Sequence, residues 1–271
     1  MGRRYRRYMF FVLVCMVCIV PRIVSADDRV KEKEKEYDFN QNKNVTISNQ
    51  KSYESSGAYT WLKYKAAADG YLTVRISNPA GAVSHARGYL ALYNSTKGTL
   101  LSSKSIFYNA AHSQNAYWHT FTFGMREKQE YYIRVRAENA VSISRTFTKT
   151  NDKSGALQSK ALKLKKNKMK TGLIPAGISN TDWYKIKLTK SQRLRLYYNV
   201  KTSGCFRMTI YAGSKQIGVK KMYYTSGTKK LTLYQSSATT GKKTGLNKGR
   251  YFLRIDRANS ASSGYYKIKW N

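Results

Sequence analysis

The sequence states one pattern twice. Residues 61–65 read W-L-K-Y-K, and residues 183–187 read W-Y-K-I-K. The runs that follow answer each other in the same order: G-Y-L-A-L-Y (88–93) with C-F-R-M-T-I-Y (205–211), then Y-Y-I-R-V-R (131–136) with Y-F-L-R-I-D (251–256). The first pair is offset by 122 positions and the last by 120. So small a drift marks a duplicated unit, and a repeat of this length constrains the architecture before any single element is assigned.

Within each unit, short alternating runs are separated by Gly, Ser, Asn and Lys. Leu194, Leu196, Tyr198 and Val200 alternate with Arg193, Arg195, Tyr197 and Asn199. Phe206, Met208 and Ile210 alternate with Arg207, Thr209 and Tyr211. Period two buries one side of a strand and wets the other, which predicts antiparallel sheets packed in pairs rather than a parallel sheet under helices. Three prolines and many β-branched and aromatic residues point the same way. The expected fold is all-β, with two tandem antiparallel β-sandwich domains over residues 37–150 and 151–271. Each is long enough for its own core. The join, K-T-N-D-K-S-G (149–155), is short, so the domains are expected to touch.

The N-terminus reads as a processing signal. Arg3, Arg4, Arg6 and Arg7 precede an apolar run from Met9 to Val20, which Pro21 ends. Val24-Ser25-Ala26 supplies the small or aliphatic residues of a cleavage site, so residues 1–26 are expected to be a signal peptide cut between Ala26 and Asp27. The run is well short of the roughly 20 residues a spanning helix needs, and no transmembrane anchor is expected. Cys15 and Cys18 lie inside it, without the small residue that precedes a lipidated cysteine. Its removal leaves Cys205 alone, so no intramolecular disulfide is predicted. Cys205 reads as a small buried residue opening a strand. Residues 27–36 (D-D-R-V-K-E-K-E-K-E) read as a charged flexible arm. The expected location is extracellular, with charge holding the protein at the cell wall.

Charge is the second constraint. The formal net charge is +36, and residues 151–271 hold 27 Lys or Arg against only Asp152, Asp182 and Asp256. Residues 37–150 hold 14 against 6. Such a surplus repels itself and attracts polyanions. Alternation places Lys185, Lys187, Arg193, Arg195, Arg207, Lys267 and Lys269 on the wet side of strands, with Tyr197 and Tyr211 among them. Lys220-Lys221, Lys229-Lys230 and Lys242-Lys243 add doublets. A multipoint basic surface with aromatics suits teichoic acid phosphate, sulfated glycan or nucleic acid. The plainer alternative is that exposed lysines guard sheet edges against aggregation. Export, and the lack of a recognisable DNA- or RNA-binding fold, argue against a nucleic-acid partner.

Catalytic chemistry finds little to stand on. The histidines are His85, His112 and His119, without H-E-x-x-H or a cysteine pair for zinc. There is no G-x-S-x-G, no phosphate-cradling glycine loop and no nominated carboxylate pair. No enzyme is expected.

Residues 151–271 resemble the bacterial pre-peptidase C-terminal (PPC) domain family. The resemblance lies in N-D (151–152), N-T-D-W-Y (180–184) with K-I-K-L directly after it, and M-T-I-Y (208–211). The endings G-R-Y-F-L-R-I (249–255) and G-Y-Y-K-I-K-W (264–270) complete it. The first copy is diverged: Thr60-Trp61 lacks the acid, and its ending lacks the glycines. The resemblance implies a jelly-roll-like sandwich of the kind appended to secreted proteases, aiding secretion, substrate attachment or adhesion. The similar collagen-binding modules of clostridial collagenases bind calcium at the linker end, which implies a calcium site here from Asn151, Asp152, Asn180 and Asp182. Calcium wants six to eight oxygen ligands, and this set brings two carboxylates. In the competing reading Asn151-Asp152 caps a turn, and Asp182 bonds backbone amides or a lysine. The function expected is a secreted, non-enzymatic binding or adhesion protein that associates with anionic wall polymer or glycan through a basic β-sandwich face. An accessory or chaperone-like partner of a separately encoded secreted protease is one alternative. A calcium-dependent collagen- or glycan-binding module is another, with an extracellular host protein as its partner.

Overall fold

The structure, a computed structural model, describes residues 34–47, 59–77, 87–102, 105–108, 118–137, 140–236 and 240–271. The expected signal peptide, its cut at Ala26–Asp27, the arm up to residue 33, and His85 and His112 lie outside the described residues.

The first repeat contributes β1 (Lys35–Asp38), β2 (Asn44–Ile47), β3 (Thr60–Lys65), β4 (Gly70–Ser77), β5 (Arg87–Tyr93), β6 (Ser105–Tyr108), β7 (Trp118–Met125), β8 (Glu130–Ala137) and β9 (Val141–Lys149). They form two sheets, ordered β1-β3-β8-β5-β6 and β2-β9-β4-β7. The second repeat contributes β10 (Leu162–Lys163), β11 (Lys170–Ile174), β12 (Thr181–Leu188), β13 (Leu194–Thr202), β14 (Phe206–Ala212), β15 (Lys215–Met222) and β16 (Lys229–Leu233). A short pair, β17 (Gln235–Ser236) with β18 (Lys243–Thr244), precedes β19 (Gly249–Arg257) and β20 (Gly264–Trp270). The second pair of sheets runs β10-β12-β19-β14-β15 and β11-β20-β13-β16.

Set β10–β16, β19 and β20 against β1–β9 in turn, and the two strand orders are the same, with β17 and β18 an insertion. The repeated strings fall on equivalent strands: W-L-K-Y-K and W-Y-K-I-K on β3 and β12, G-Y-L-A-L-Y and F-R-M-T-I-Y on β5 and β14, Y-Y-I-R-V-R and Y-F-L-R-I-D on β8 and β19. The pairings are antiparallel except β1 with β3 and β10 with β12, which are parallel and occupy the same margin of each five-stranded sheet. Among the described residues the only helical turn is a 3₁₀ segment at Gln158–Lys160, and no helix is long and apolar enough to cross a membrane.

Alternation explains the layers. Along β13, Leu194, Leu196, Tyr198 and Val200 are buried while Arg195 is exposed and Tyr197, Asn199 and Lys201 are half-buried. Along β4, Leu72, Val74 and Ile76 turn inward. One core gathers these β4 residues with Leu62, Phe123 and Ile133, and another gathers the β13 residues with Ile186, Leu253 and Ile268. Burial of each such side chain stabilises the fold by roughly 1.5–3 kcal/mol, before entropy is counted. Cys205 is buried immediately before β14, as a small apolar residue opening a strand.

The two sandwiches belong to one compact unit, Glu32–Asn271. The amide of Ala176 donates to the Gly124 carbonyl at 2.9 Å, and the Ala176 side chain packs into the first core. The rings of Tyr71 on β4 and Tyr265 on β20 stack with centroids 3.9 Å apart. The flexible arm expected over 27–36 also ends sooner than its composition suggests. Lys35 and Glu36 already lie in β1, where Glu34 accepts the Trp61 indole N–H at 2.8 Å and Glu36 pairs with Lys97 at 2.8 Å. The acids that make this segment look solvated are the partners that fasten it to the sheet.

Candidate basic surface

On β12, Tyr184, Ile186 and Leu188 point inward, so Lys185 and Lys187 project from the five-stranded sheet. On the neighbouring β19, Tyr251, Leu253 and Ile255 are inward and Arg250, Phe252 and Arg254 outward. Register places Lys185 opposite Phe252 and Lys187 opposite Arg250. Lys163 of β10 adds a third lysine, paired in register with Lys185. These side chains, with Gln158 and Ser159 of the 3₁₀ turn, line a groove of about 460 Å³ that no carboxylate enters.

The duplication gives this groove an internal control. In the first sandwich Trp61 lies opposite Arg134, Lys63 opposite Tyr132, and Lys65 opposite Glu130. In the second, Trp183 lies opposite Arg254, Lys185 opposite Phe252, and Lys187 opposite Arg250. The two outer surfaces match position for position until Glu130, which holds Lys63 at 3.2 Å; its counterpart is Arg250. Where the first copy supplies a counter-charge, the second supplies another cation.

The remaining predicted residues do not converge on this groove. Arg207 also projects from the five-stranded sheet, but its Nε and Nη2 donate to the Asp256 carboxylate at 3.0 and 2.9 Å, and Arg254 stands 3.2 Å from the same group. Arg207 therefore serves its own sheet. Lys220 and Lys221 are exposed on the edge strand β15, facing opposite ways: Lys221 pairs with Arg207 on the outer side, and Lys220 with the buried Met208. Arg195, Lys267 and Lys269 project from the four-stranded sheet, where the Lys269 ammonium lies 5.5 Å from the Tyr197 ring centre. Arg193 and Arg195 line a separate recess with Lys166, Gln192 and Asn271. Stacked sheets sit about 10 Å apart, and their outer surfaces look in opposite directions. The single basic face expected from alternation is therefore two. Period two tells inward from outward, and it does not tell which sheet a strand joins. Lys163, Arg250 and Phe252 escaped the sequence reading, although G-R-Y-F-L-R-I carries the alternation that exposes them.

The resemblance-derived calcium set is partly assembled. Asp152 accepts the amide N–H of Ser154 at 2.9 Å through one oxygen and that of Leu173 at 2.8 Å through the other. Asp182 is fully buried and accepts from the Ser154 hydroxyl at 2.6 Å, the Asn180 side-chain amide at 3.1 Å and the Tyr266 hydroxyl at 2.6 Å. Burial, and then the charge of Asp152, push Asp182 up to about 7. Asn180 turns its nitrogen toward both Asp182 and the Leu173 carbonyl, and Asn151 lies exposed, lining a different recess. The carboxylate oxygens of Asp152 and Asp182 already accept N–H and O–H donors, Asn180 presents its nitrogen to Asp182, and Asn151 lies apart, so the four do not come together as a calcium cage. They fit a latch that ties the join to the second core. The competing sequence reading described Asp152 well, while Asp182 bonds side chains instead of backbone.

The first sandwich carries a cluster of its own on the outer side of its five-stranded sheet. Trp61, Tyr93 and Tyr132 meet edge to face, with centroids 5.3 and 6.2 Å from Trp61. The Arg134 guanidinium lies 4.4 Å from the Tyr59 ring centre and 4.7 Å from that of Tyr93, and Lys97 lies 4.8 Å from Tyr132. All three rings of the Trp61 group are buried, and the cations lie across them, so the cluster packs the sheet rather than offering ring faces to a ligand. His119 is half-buried on β7 beside Phe121.

The molecule is thus a tandem β-sandwich with cationic outer surfaces. No protein-family model matches the sequence, and no match is found among curated proteins. Among solved structures, tripeptidyl peptidase 2 is similar over 88% of this chain, with 9% identity and a TM-score of 0.28. The chain spans 24% of that protein's length. The tandem CBM22-1–CBM22-2 domains of Paenibacillus barcinonensis Xyn10C align over 83% of this chain and 86% of theirs, with 7% identity and a TM-score of 0.30. Recombinant PNGase F aligns over 83% and 95%, with 10% identity and a TM-score of 0.26. At these scores the likenesses bear on neither ligand nor activity, and the fold stands on its own strand register.

Proposed function

We propose that the protein is an exported, non-enzymatic binding module that associates with anionic cell-wall or extracellular polymer through the cations of its second sandwich. The observation that carries this reading is the fate of the counter-charges. Residues 151–271 hold three carboxylates against 27 Lys or Arg, and each carboxylate is committed within the fold. Asp152 takes two backbone amides, Asp182 is buried under Tyr266, and Asp256 is shared by Arg207 and Arg254. The lysines of the groove, Lys163, Lys185 and Lys187, have no ion-pair partner among the described residues, and Arg250 stands where the first copy has Glu130.

Sheet-edge protection needs a few scattered lysines and gives no reason for an arginine, Arg250, at the position where the first copy carries the counter-charge Glu130. Near an anionic surface each Lys or Arg contributes about 1 kcal/mol, so half a dozen suffice to hold a protein without a covalent anchor. A binding array of wall polymers and glycans at 0.05 and 0.5 M salt tests the reading. Binding to anionic polymers at the lower salt and its loss at the higher is expected. Binding that is unchanged by salt, or confined to uncharged glycans, would overturn it.

A further inference from the structure

Another concavity lies where the two sandwiches meet. Tyr71, Thr148 and Lys149 come from the first, Asn151 and Lys153 from the join, and Lys170, Thr171, Tyr265 and Lys267 from the second. Register explains why they gather. Tyr71 pairs with Thr148 across β4 and β9, Thr171 pairs with Lys267 across β11 and β20, and the Tyr71–Tyr265 stack joins the outer surfaces of the two four-stranded sheets. The recess has a volume of about 540 Å³ and is lined by four lysines and no carboxylate. None of Lys149, Lys153, Lys170 and Lys267 has an ion-pair partner among the described residues. Burial and its contact with Tyr71 push Tyr265 up to about 12, so its phenol stays a neutral hydroxyl on the wall of the recess.

We propose that this inter-sandwich cleft is the seat at which the protein grips a tetrahedral oxyanion, a phosphate or sulfate ester, carried on an extended polymer. The proposal rests on the polyanion reading above and gives it a place. Four like charges converging in a concavity focus the field more strongly than the same number spread over an open sheet. Ammonium groups suit phosphate and sulfate as point charges, while threonine and tyrosine hydroxyls donate to the remaining oxygens. The groove at Lys185 and Arg250 looks away from this cleft, on the other sheet. Because both sandwiches supply lysines, the tandem pair is the binding unit.

The test uses the intact protein with two probes, inorganic polyphosphate and a heparin oligosaccharide, at several salt concentrations. The triple variant Lys149→Gln/Lys170→Gln/Lys267→Gln is compared with a control, Lys190→Gln/Lys215→Gln/Lys248→Gln, which loses the same charge at three exposed lysines outside both the cleft and the groove. The cleft variant is expected to lose at least tenfold in affinity, and its salt dependence to flatten by roughly one unit of slope per lysine removed. The control should lose a few-fold at most. Preference for polyphosphate or for heparin identifies phosphate or sulfate as the ester. Replacing the same three lysines with arginine retains charge and should retain binding, which separates loss of charge from damage to the fold. Equal losses in the two triple variants, or a larger loss in the control, would overturn the cleft and leave the polyanion reading standing. Wild-type protein that binds neither probe at low salt would overturn both.

Discussion

Asp182 is the residue with the most unusual chemistry in the molecule. Folded, it keeps its proton up to about pH 7; an unfolded aspartate releases it near 3.8. Between these values the folded state binds more protons, so raising the pH across that window destabilises the fold, and the loss levels off above pH 7. Thermal melts at steps between pH 4.5 and 8 should show the melting temperature falling with pH, by several degrees in total. Asp182→Asn should remove that part of the slope, and a variant that tracks the wild type throughout would show that the carboxyl is ionised in the fold. Calcium should produce neither heat nor a shift in melting temperature, because the oxygens of Asp152 and Asp182 already accept N–H and O–H donors. The motif N-T-D-W-Y marked Asp182 as special. The reason was out of local reach, because Tyr266, which closes its second oxygen, lies 84 residues further on.

At the level of elements, the duplication makes two strands comparable that would otherwise be judged separately. On β8 the residue opposite Lys65 is Glu130; on β19 the residue opposite Lys187 is Arg250. Arg250→Glu would restore the counter-charge of the first copy, and polyanion affinity is expected to fall about tenfold while far-UV circular dichroism stays unchanged. Undiminished affinity in a polymer-binding titration would remove the groove from the binding surface. The edge strand β7 has a different part. A Cβ on Gly124 would stand 2.2 Å from the Ile174 carbonyl oxygen, so only glycine lets the first sandwich approach the second so closely. Gly124→Ala should cost about 1–3 kcal/mol through overpacking, read in a denaturant titration. It should also weaken oxyanion binding if the cleft is the seat. The existence and spacing of β3, β5, β8 and their counterparts were legible because apolar alternation is local. Pairing was not. Nothing in a six-residue run says that Lys185 and Lys267 belong to different layers of one sandwich.

For the whole molecule, electrostatics and architecture act at different ranges. The screening length falls from about 8 Å at physiological salt to 3 Å at 1 M, so charge-held protein should leave an anionic surface on washing with molar salt. Retention through such a wash would exclude the electrostatic mechanism at this scale. By itself the sequence determined the duplication, the all-β alternation and the surplus of cations, because composition and period-two burial are properties of short stretches of chain. It also pointed to the join at 149–155, through its turn-forming residues. Only the tertiary structure decided which cations share a surface, that the three carboxylates of residues 151–271 are taken up by donors of the fold itself, and that Tyr71 and Tyr265 bring lysines of both sandwiches around one recess. Those depend on sheet order and on contact between residues about 190 positions apart, which the pattern of neighbouring side chains does not encode.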